Sequence, residues 1–581
     1  MHTVKLRSLD KLLLALIFLI LSASTIAWTI ANRTPPAWDP SDHMLIAYDY
    51  YLPVAHLDWT AFREEFFVAP HFYAPLVHLI TAGVFLVLGA SRLTGIIVNL
   101  MSLAVLLLSV SWIGRRLYSQ EDEARDASRA DSLALAVVAP LLATSYHFSA
   151  WLLHDAFLDY PLTAIVALSF ALLINAGDFK QWRSALIFGL SAGLGMLTKQ
   201  TFAFFLVLPA VYVTGRVLLS RDLKALGNLV LAGIAAAALA SIWYWPHLHH
   251  VIEIYQVNKQ AAVSENEAPL FTFFSNLFYP HALLSTQMQL PLALLFLAGL
   301  IYSLARRRSE SVMLYLWLLG GIASFTLVAN KDARYTVPVL PAAALISMCW
   351  LSGWKARRDG KQERSAWKMA GVLKPALVAS IAVWALVSFF NAQWPRPGMG
   401  YYLDTPNFRW MVFGRNYFAL DHRPLPDEWG VPDIVRTIAG QSNPLQASGS
   451  GDGSDLNPSS GTETRLSAVL KDINAPTVGV AVNLPYLNPS TISLYTRLLA
   501  PGRAARPLFN VDWLVVDGAR DRIEKCDFLV VRTGLDRAEW VAPLELPLEN
   551  LIRTNPERFI EVGRFPIPID RAEVLVYKCR E

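Results

Sequence analysis

Two short clusters in this 581-residue sequence combine carboxylates with histidine at spacings suited to proton transfer or cation binding. In the first, Trp38-Asp39-Pro40-Ser41-Asp42-His43, the acids stand three residues apart and an imidazole follows. Asp39-Pro40 reads as a helix start, a cap followed by a first-turn proline, which would set both carboxylates near the positive end of a helix. The second cluster runs from His154 to Leu162 (HDAFLDYPL). It places Asp155 and Asp159 four residues apart, hence on one face if helical. Plain helix capping is the competing reading for both. Cations that could oppose these acids are Lys199, in the run 197–200 (LTKQ), and Lys331 and Arg334, in the run 330–335 (NKDARY) that ends on Tyr335. Arginine offers a fork of donors and lysine a compact charge to phosphate oxygens. Snorkelling anchors are the alternative for such residues.

The composition sets these clusters in a membrane. Hydrophobic residues make up 54% of the chain and charged residues only 17%, with a mean hydropathy of +0.37, whereas soluble domains carry roughly a quarter charged residues. A net charge of +4 without a basic stripe gives no reason to expect nucleic acid as a partner. The three cysteines lack the paired spacing of a zinc site, although a Cys526–Cys579 bond is allowed in an oxidising compartment. Apolar runs predict eleven spans, at 11–31, 93–113, 132–151, 161–176, 184–199, 201–219, 226–245, 288–304, 311–329, 336–354 and 369–391. The first is too long for the apolar stretch of a cleavable signal. With the N-terminus inside and 75–90 not crossing, the inner segments hold 21 Lys and Arg against seven in the outer loops, as the positive-inside rule demands. Residues 75–90 then form a membrane-skimming or re-entrant helix, alongside amphipathic material at 41–68.

This topology predicts a transmembrane domain over 1–391 and an extracytoplasmic soluble α/β domain over 392–581, with 446–465 as a polar linker or loop. Strands are expected at 478–484, 513–517, 528–534, 559–567 and 573–578, and a helix at 426–440. The protein would be a multi-pass inner or plasma membrane protein with its C-terminal domain on the periplasmic side. Both acid clusters and the three cations come out at span ends on the outer side. An ionised group at bilayer depth costs about 2.5–3.5 kcal/mol, so their presence there invites a functional reading. The histidines of the run 247–250 (HLHH), which would open a long outer loop over 246–287, are ordinary interfacial residues.

The order of several elements carries a resemblance. The acidic motif from Trp38 to His43 is followed by Ala74-Pro75-Leu76, then Asp159-Tyr160-Pro161-Leu162, then GLSAGLGMLTKQ at 189–200 and ARYTVPVLPAAAL at 333–345. Over about residues 10–350 this resembles the integral-membrane glycosyltransferases of the C-type fold, in particular family 39, the protein O-mannosyltransferases and the lipid A aminoarabinose and galacturonic acid transferases. Where that family commonly has Asp-Glu, this chain has Asp39-Pro40.

The resemblance implies sugar transfer from a polyprenyl-phosphate donor to a lipid, glycan or protein acceptor at the outer membrane face. It implies Asp39 as general base of an inverting displacement and Asp159 as a second carboxylate, orienting the acceptor or, with Asp39, holding a divalent metal ion. Asp42, His43, Asp155, Lys199, Lys331, Arg334 and Tyr335 would bind substrate. A transporter or lipid-linked sugar flippase is the rival reading; it predicts acids near mid-bilayer, broken helices and an internal repeat.

Overall fold

Backbone polar groups in hydrocarbon must be satisfied within their own segment, so the apolar runs fold as helices. The computed structural model describes residues 8–118, 133–264, 267–307, 311–352, 363–396, 398–416, 422–442, 475–500, 507–514, 519–533, 548, 550–568 and 572–580. Among these, seven helices are long and apolar enough to cross a membrane: Ser8–Ala31, Arg92–Leu117, Asp159–Ala176, Phe202–Ser220, Leu223–Gln260, Ala333–Leu351 and Leu373–Gln393. Trp182–Thr198 is one residue shorter than the shortest of them. Leu76–Leu88, Ala134–Ser145 and Val312–Thr326 are shorter apolar helices. The serine- and glycine-rich run at 446–465 and the basic stretch 355–362 lie outside the described residues.

Two expectations change. The run 288–304 is not a simple span: Phe273–Gln287 and Leu290–Ala305 form a pair bent by 119°. The supposed outer loop from 246 is helical as far as Ser264, because the helix that starts at Leu223 continues through Pro246. Near 75–90 the helix Leu76–Leu88 has 13 residues, about 20 Å at 1.5 Å per residue, which is short of the ~30 Å hydrocarbon core.

The described residues group into two compact units. The first takes in 1–30, 73–77 and 96–424, the second 31–72, 78–95 and 425–581. In the first, glycine permits close helix approach. A Cβ at Gly189 would stand 2.3 Å from the Ala232 carbonyl oxygen, and one at Gly193 2.9 Å from Leu239. Gly189 and Gly193 are thus a small-xxx-small pair that seats Trp182–Thr198 on Leu223–Ser264. A hairpin of β1 (Gly400–Asp404) and β2 (Arg409–Gly414) also belongs to this unit.

The second unit holds a five-stranded sheet in the order β4-β3-β5-β7-β6, made of β3 (Thr477–Val480), β4 (Asn510–Trp513), β5 (Phe528–Arg532), β6 (Phe559–Pro566) and β7 (Glu573–Cys579). β3 pairs in parallel with β4 and β5, while β7 runs antiparallel to β5 and β6. β5 is buried along its whole length, Arg532 included, and its apolar residues 528–531 suit a strand covered on both faces. The helix Val431–Ser442 presents Val431, Ile434, Val435 and Ile438, at helical spacing, to Val478, Val480, Val530 and Val574. Cys526 and Cys579 are separate thiols, so the bond allowed by their placement is not formed; the Cys526 thiol donates to the Arg522 carbonyl at 3.4 Å.

Candidate active site

The helix Asp159–Ala176 begins at its acid, with Leu158 as the cap residue and no side-chain cap bond. Its carboxylate is therefore not used up as a cap. Asp159 Oδ1 instead accepts from Lys199 Nζ at 2.7 Å, with the two side chains 2% and 12% exposed. Lys199 reaches it because the helix Trp182–Thr198 stops there and the backbone turns extended at Lys199.

The same ammonium stands 5.4 Å from the centre of the Tyr335 ring, and the Arg334 guanidinium lies 5.9 Å from that ring and 4.6 Å from the ring of Phe157. Such cation–aromatic contacts are attractive and fix the cations in place. Arg334 Nε also donates to Asp332 Oδ2 at 2.6 Å, and the Arg334 backbone N–H to Asp332 Oδ1 at 2.8 Å. Four of the residues singled out in the sequence, Asp159, Lys199, Arg334 and Tyr335, are thus one charged centre in the helical unit. Phe157 and Asp332 belong to it and were not singled out. Because each cation is matched by a carboxylate, an arriving anion would compete with Asp159 and Asp332 for Lys199 and Arg334.

Lys331 is placed differently. Its ammonium donates to the Phe325 and Thr326 carbonyls at 3.2 and 2.8 Å, closing the C-terminus of Val312–Thr326, where cations suit the helix dipole. Asp155 enters through its backbone: Asn99 Nδ2 donates to the carbonyls of Leu152, Leu153 and Asp155 at 3.2, 3.2 and 2.6 Å. One buried amide therefore pins the loop that carries Phe157 and Asp159. Replacing Asn99 by Leu strips these carbonyls of their donor, so the full-length protein in detergent should lose about 1–3 kcal/mol of stability, read as a lower thermal midpoint. An unchanged midpoint would contradict the role given to Asn99. Nearby, His154 stacks on Trp28 at 3.7 Å, and burial pushes its imidazole down to about 3, which keeps it neutral.

Asp39, Asp42 and His43 lie in the second unit, on the helix Trp38–Ala55. The cap is Ala37, not Asp39, so Asp39 sits inside the first turn rather than serving as the expected cap. The helix is held by residues more than 400 positions away. Trp38 Nε1 donates to Asn483 Oδ1 at 2.7 Å, the hydroxyls of Ser41 and Thr491 meet at 3.2 Å, and Asp42 bonds to Ser490. Asp49 pairs with Arg497 at 3.0 Å, and His43 Nδ1 lies 3.2 Å from His78 Nε2.

Burial pushes the Asp42 carboxyl up to about 7, and the Asp39 carboxylate adds to the shift. A carboxyl raised on folding is protonated in the native chain while still ionised in the unfolded one, so folding gains as pH falls through 7 toward the ordinary 3.8. The gain between pH 8 and pH 6 should be about 1 kcal/mol and should vanish in Asp42→Asn. Thermal unfolding of the full-length protein at the two pH values checks this, and an equal response from both proteins would refute it.

Among the described residues no group of three or more His, Cys, Asp and Glu side chains gathers in reach of one metal, and one Asp159 oxygen, Oδ1, accepts from Lys199. His247 lies flat on Trp243 at 4.4 Å, while His249 and His250 pair with Glu253.

Comparison with solved structures gives the fold. The chain matches ArnT from Cupriavidus metallidurans in its apo state with a TM-score of 0.55 at 13% identity, covering 97% of each chain. The same protein bound to undecaprenyl phosphate matches with a TM-score of 0.49 at 14% identity, over 97% of this chain and 98% of that one. The arabinosyltransferase EmbB from Mycobacterium smegmatis matches at 0.36 and 13% identity, over 67% of this chain and 38% of that one. No family model matches the sequence. An uncharacterized protein of Aquifex aeolicus (strain VF5) is 26% identical over 206 residues, 34% of this chain and 39% of that protein, so the match spans well under half of either. The chain is a multi-pass membrane protein with the C-type glycosyltransferase fold. Within that fold its similarity to ArnT extends over almost the whole length of both chains.

Proposed function

We propose that the protein is a glycosyltransferase that moves a sugar from a polyprenyl-phosphate donor to a lipid, glycan or protein acceptor at the outer face of the membrane. The observation that carries this is the centre of Lys199, Arg334, Tyr335 and Asp159 at one end of its spans, in a fold shared with ArnT. The clustering of Lys and Arg in alternate inter-span segments supports a cytoplasmic N-terminus and an extracytoplasmic C-terminal domain.

The chemistry balances as a single displacement. Asp39 takes the proton of an acceptor hydroxyl, the acceptor oxygen bonds to the anomeric carbon from the face opposite the phosphate, and the bond to the phosphate oxygen breaks with inversion. A phosphate leaves without a strong general acid, so the larger need is neutralisation of its charge, the role given to Lys199 and Arg334. Asp159 holds the Lys199 ammonium in place and orients the acceptor. The transporter reading predicts acids near mid-bilayer, broken helices and an internal repeat; the bent pair Phe273–Gln287 and Leu290–Ala305 meets the second of these, but its break carries the amides of Gln287 and Gln289 and no acid.

The test is mass spectrometry of glycolipids and envelope glycans from cells with and without the protein, together with transfer by purified protein from a synthetic polyprenyl-phosphate sugar. A sugar that disappears from one acceptor, with polyprenyl phosphate released in vitro, is the expected result. Identical glycan profiles and an intact donor would overturn the proposal.

A further inference from the structure

The bent helix pair in the first unit has an unusual joint. Leu283–Gln287 is a short π-helical turn, a form concentrated at functional sites. Two residues later Gln289 holds φ +65° and ψ 149°, a conformation that is costly for any residue with a Cβ. Both glutamines are fully buried.

Each amide reaches a different arm of the charged centre. Gln287 Nε2 donates to the Ala333 carbonyl at 2.5 Å and to Thr336 Oγ1 at 2.9 Å, bracketing Arg334 and Tyr335 on the 3-10 helix Ala333–Val339. Gln289 Nε2 meets His147 Nδ1 at 2.8 Å, on the helix His147–Leu152 that leads into the loop of Phe157. Arg334 lies over Phe157 and so connects the two arms. A core filler would be Leu or Met with no polar cost. Here two amides are buried, and Gln287 Oε1 and Gln289 Oε1 have no partner among the described residues.

We infer that the joint at 287–289 is the positioning element of the charged centre, with Gln287 and Gln289 as positioning residues that hold Arg334 and Tyr335 in register with the loop of Asp159. The strain at Gln289 is retained because the turn it makes aims both amides. That the centre serves sugar transfer rests on the proposed function; that the amides hold it does not.

The experiment uses full-length protein in detergent, with the variants Gln287→Leu, Arg334→Lys and the two combined. Hydrogen–deuterium exchange is followed over 329–340 and 152–160, alongside transfer kinetics and binding of undecaprenyl phosphate. Gln287→Leu should raise exchange across 333–339 and lower kcat by about 10- to 100-fold, the range typical of lost supporting hydrogen bonds. In the Arg334→Lys background the same change should cost almost nothing further, because Gln287 acts through Arg334; a purely structural role would cost the same in both backgrounds. Wild-type exchange over 333–339 in Gln287→Leu, or full additivity of the two kinetic losses, would overturn the inference. If wild-type protein neither transfers sugar nor binds undecaprenyl phosphate, the proposed function falls while the exchange measurement still decides this one.

Discussion

Asp39→Asn should lower the turnover of sugar transfer by about 10²- to 10⁴-fold, the range lost when a positioned general base is removed. Asparagine keeps the shape of the side chain and its place in the first turn of Trp38–Ala55, so the helix survives. What it loses is a negative charge near the positive helix end, worth about 0.3–1 kcal/mol, and the ability to take a proton. The folded state should therefore change little while chemistry nearly stops. A second readout follows from Asp42, whose carboxyl is raised partly by the charge of Asp39. With that charge gone, Asp42 should titrate at lower pH, and the stability gain on acidification should move downward with it. Turnover within a few-fold of wild type would remove Asp39 from the role of base, whatever the stability data showed.

How much of this was legible in the chain differs residue by residue. Asp159, Lys199, Arg334 and Tyr335 could be picked out because ionised groups at span ends are expensive and because they fall within motifs of recognisable order. Their partners left no comparable trace. Asn99 and Gln287 act through amides on backbone carbonyls across 46 to 56 positions, and such bonds have no period. Phe157 looked like any apolar residue of its loop.

The broken helix was hidden for a related reason. The stretch 283–305 is apolar apart from Ser285, Thr286, Gln287, Gln289 and Ser303, and hydropathy reports length without reporting a bend. The available signals were two glutamines in that run, at 287 and 289, and Pro291 just beyond, which disfavours a helical conformation in the residue before it. The sheet strands were easier, since β5 and β7 are short β-branched runs bounded by polar residues. The grip of Asn483, Ser490, Thr491 and Arg497 on the Trp38–Ala55 helix joins residues more than 400 apart, which one sequence cannot pair.

The second large effect concerns the Asp159–Lys199 pair, where removing one partner should be worse than removing both. In Asp159→Ala the ammonium of Lys199, largely withdrawn from solvent, is left without its carboxylate, and breaking a buried pair in this way costs about 3–5 kcal/mol. Lys199→Met strands the more deeply buried Asp159 carboxylate and should cost at least as much. In the double variant Asp159→Ala/Lys199→Met neither charge remains to be desolvated, so most of the lost stability should return and the double variant should lose far less than the two single losses added together.

Activity should not return with it. Under the proposed function the centre holds the donor phosphate and needs the cation itself, so the double variant should be folded, close to wild type in thermal midpoint and without measurable transfer, with weakened binding of undecaprenyl phosphate. Thermal unfolding in detergent and a binding titration on all four proteins separate the two effects. Stabilities that simply add would mean the pair is exposed enough for solvent to replace either partner. A double variant that still transfers sugar would take Lys199 out of the reaction, leaving Arg334 as the cation that must receive the departing phosphate.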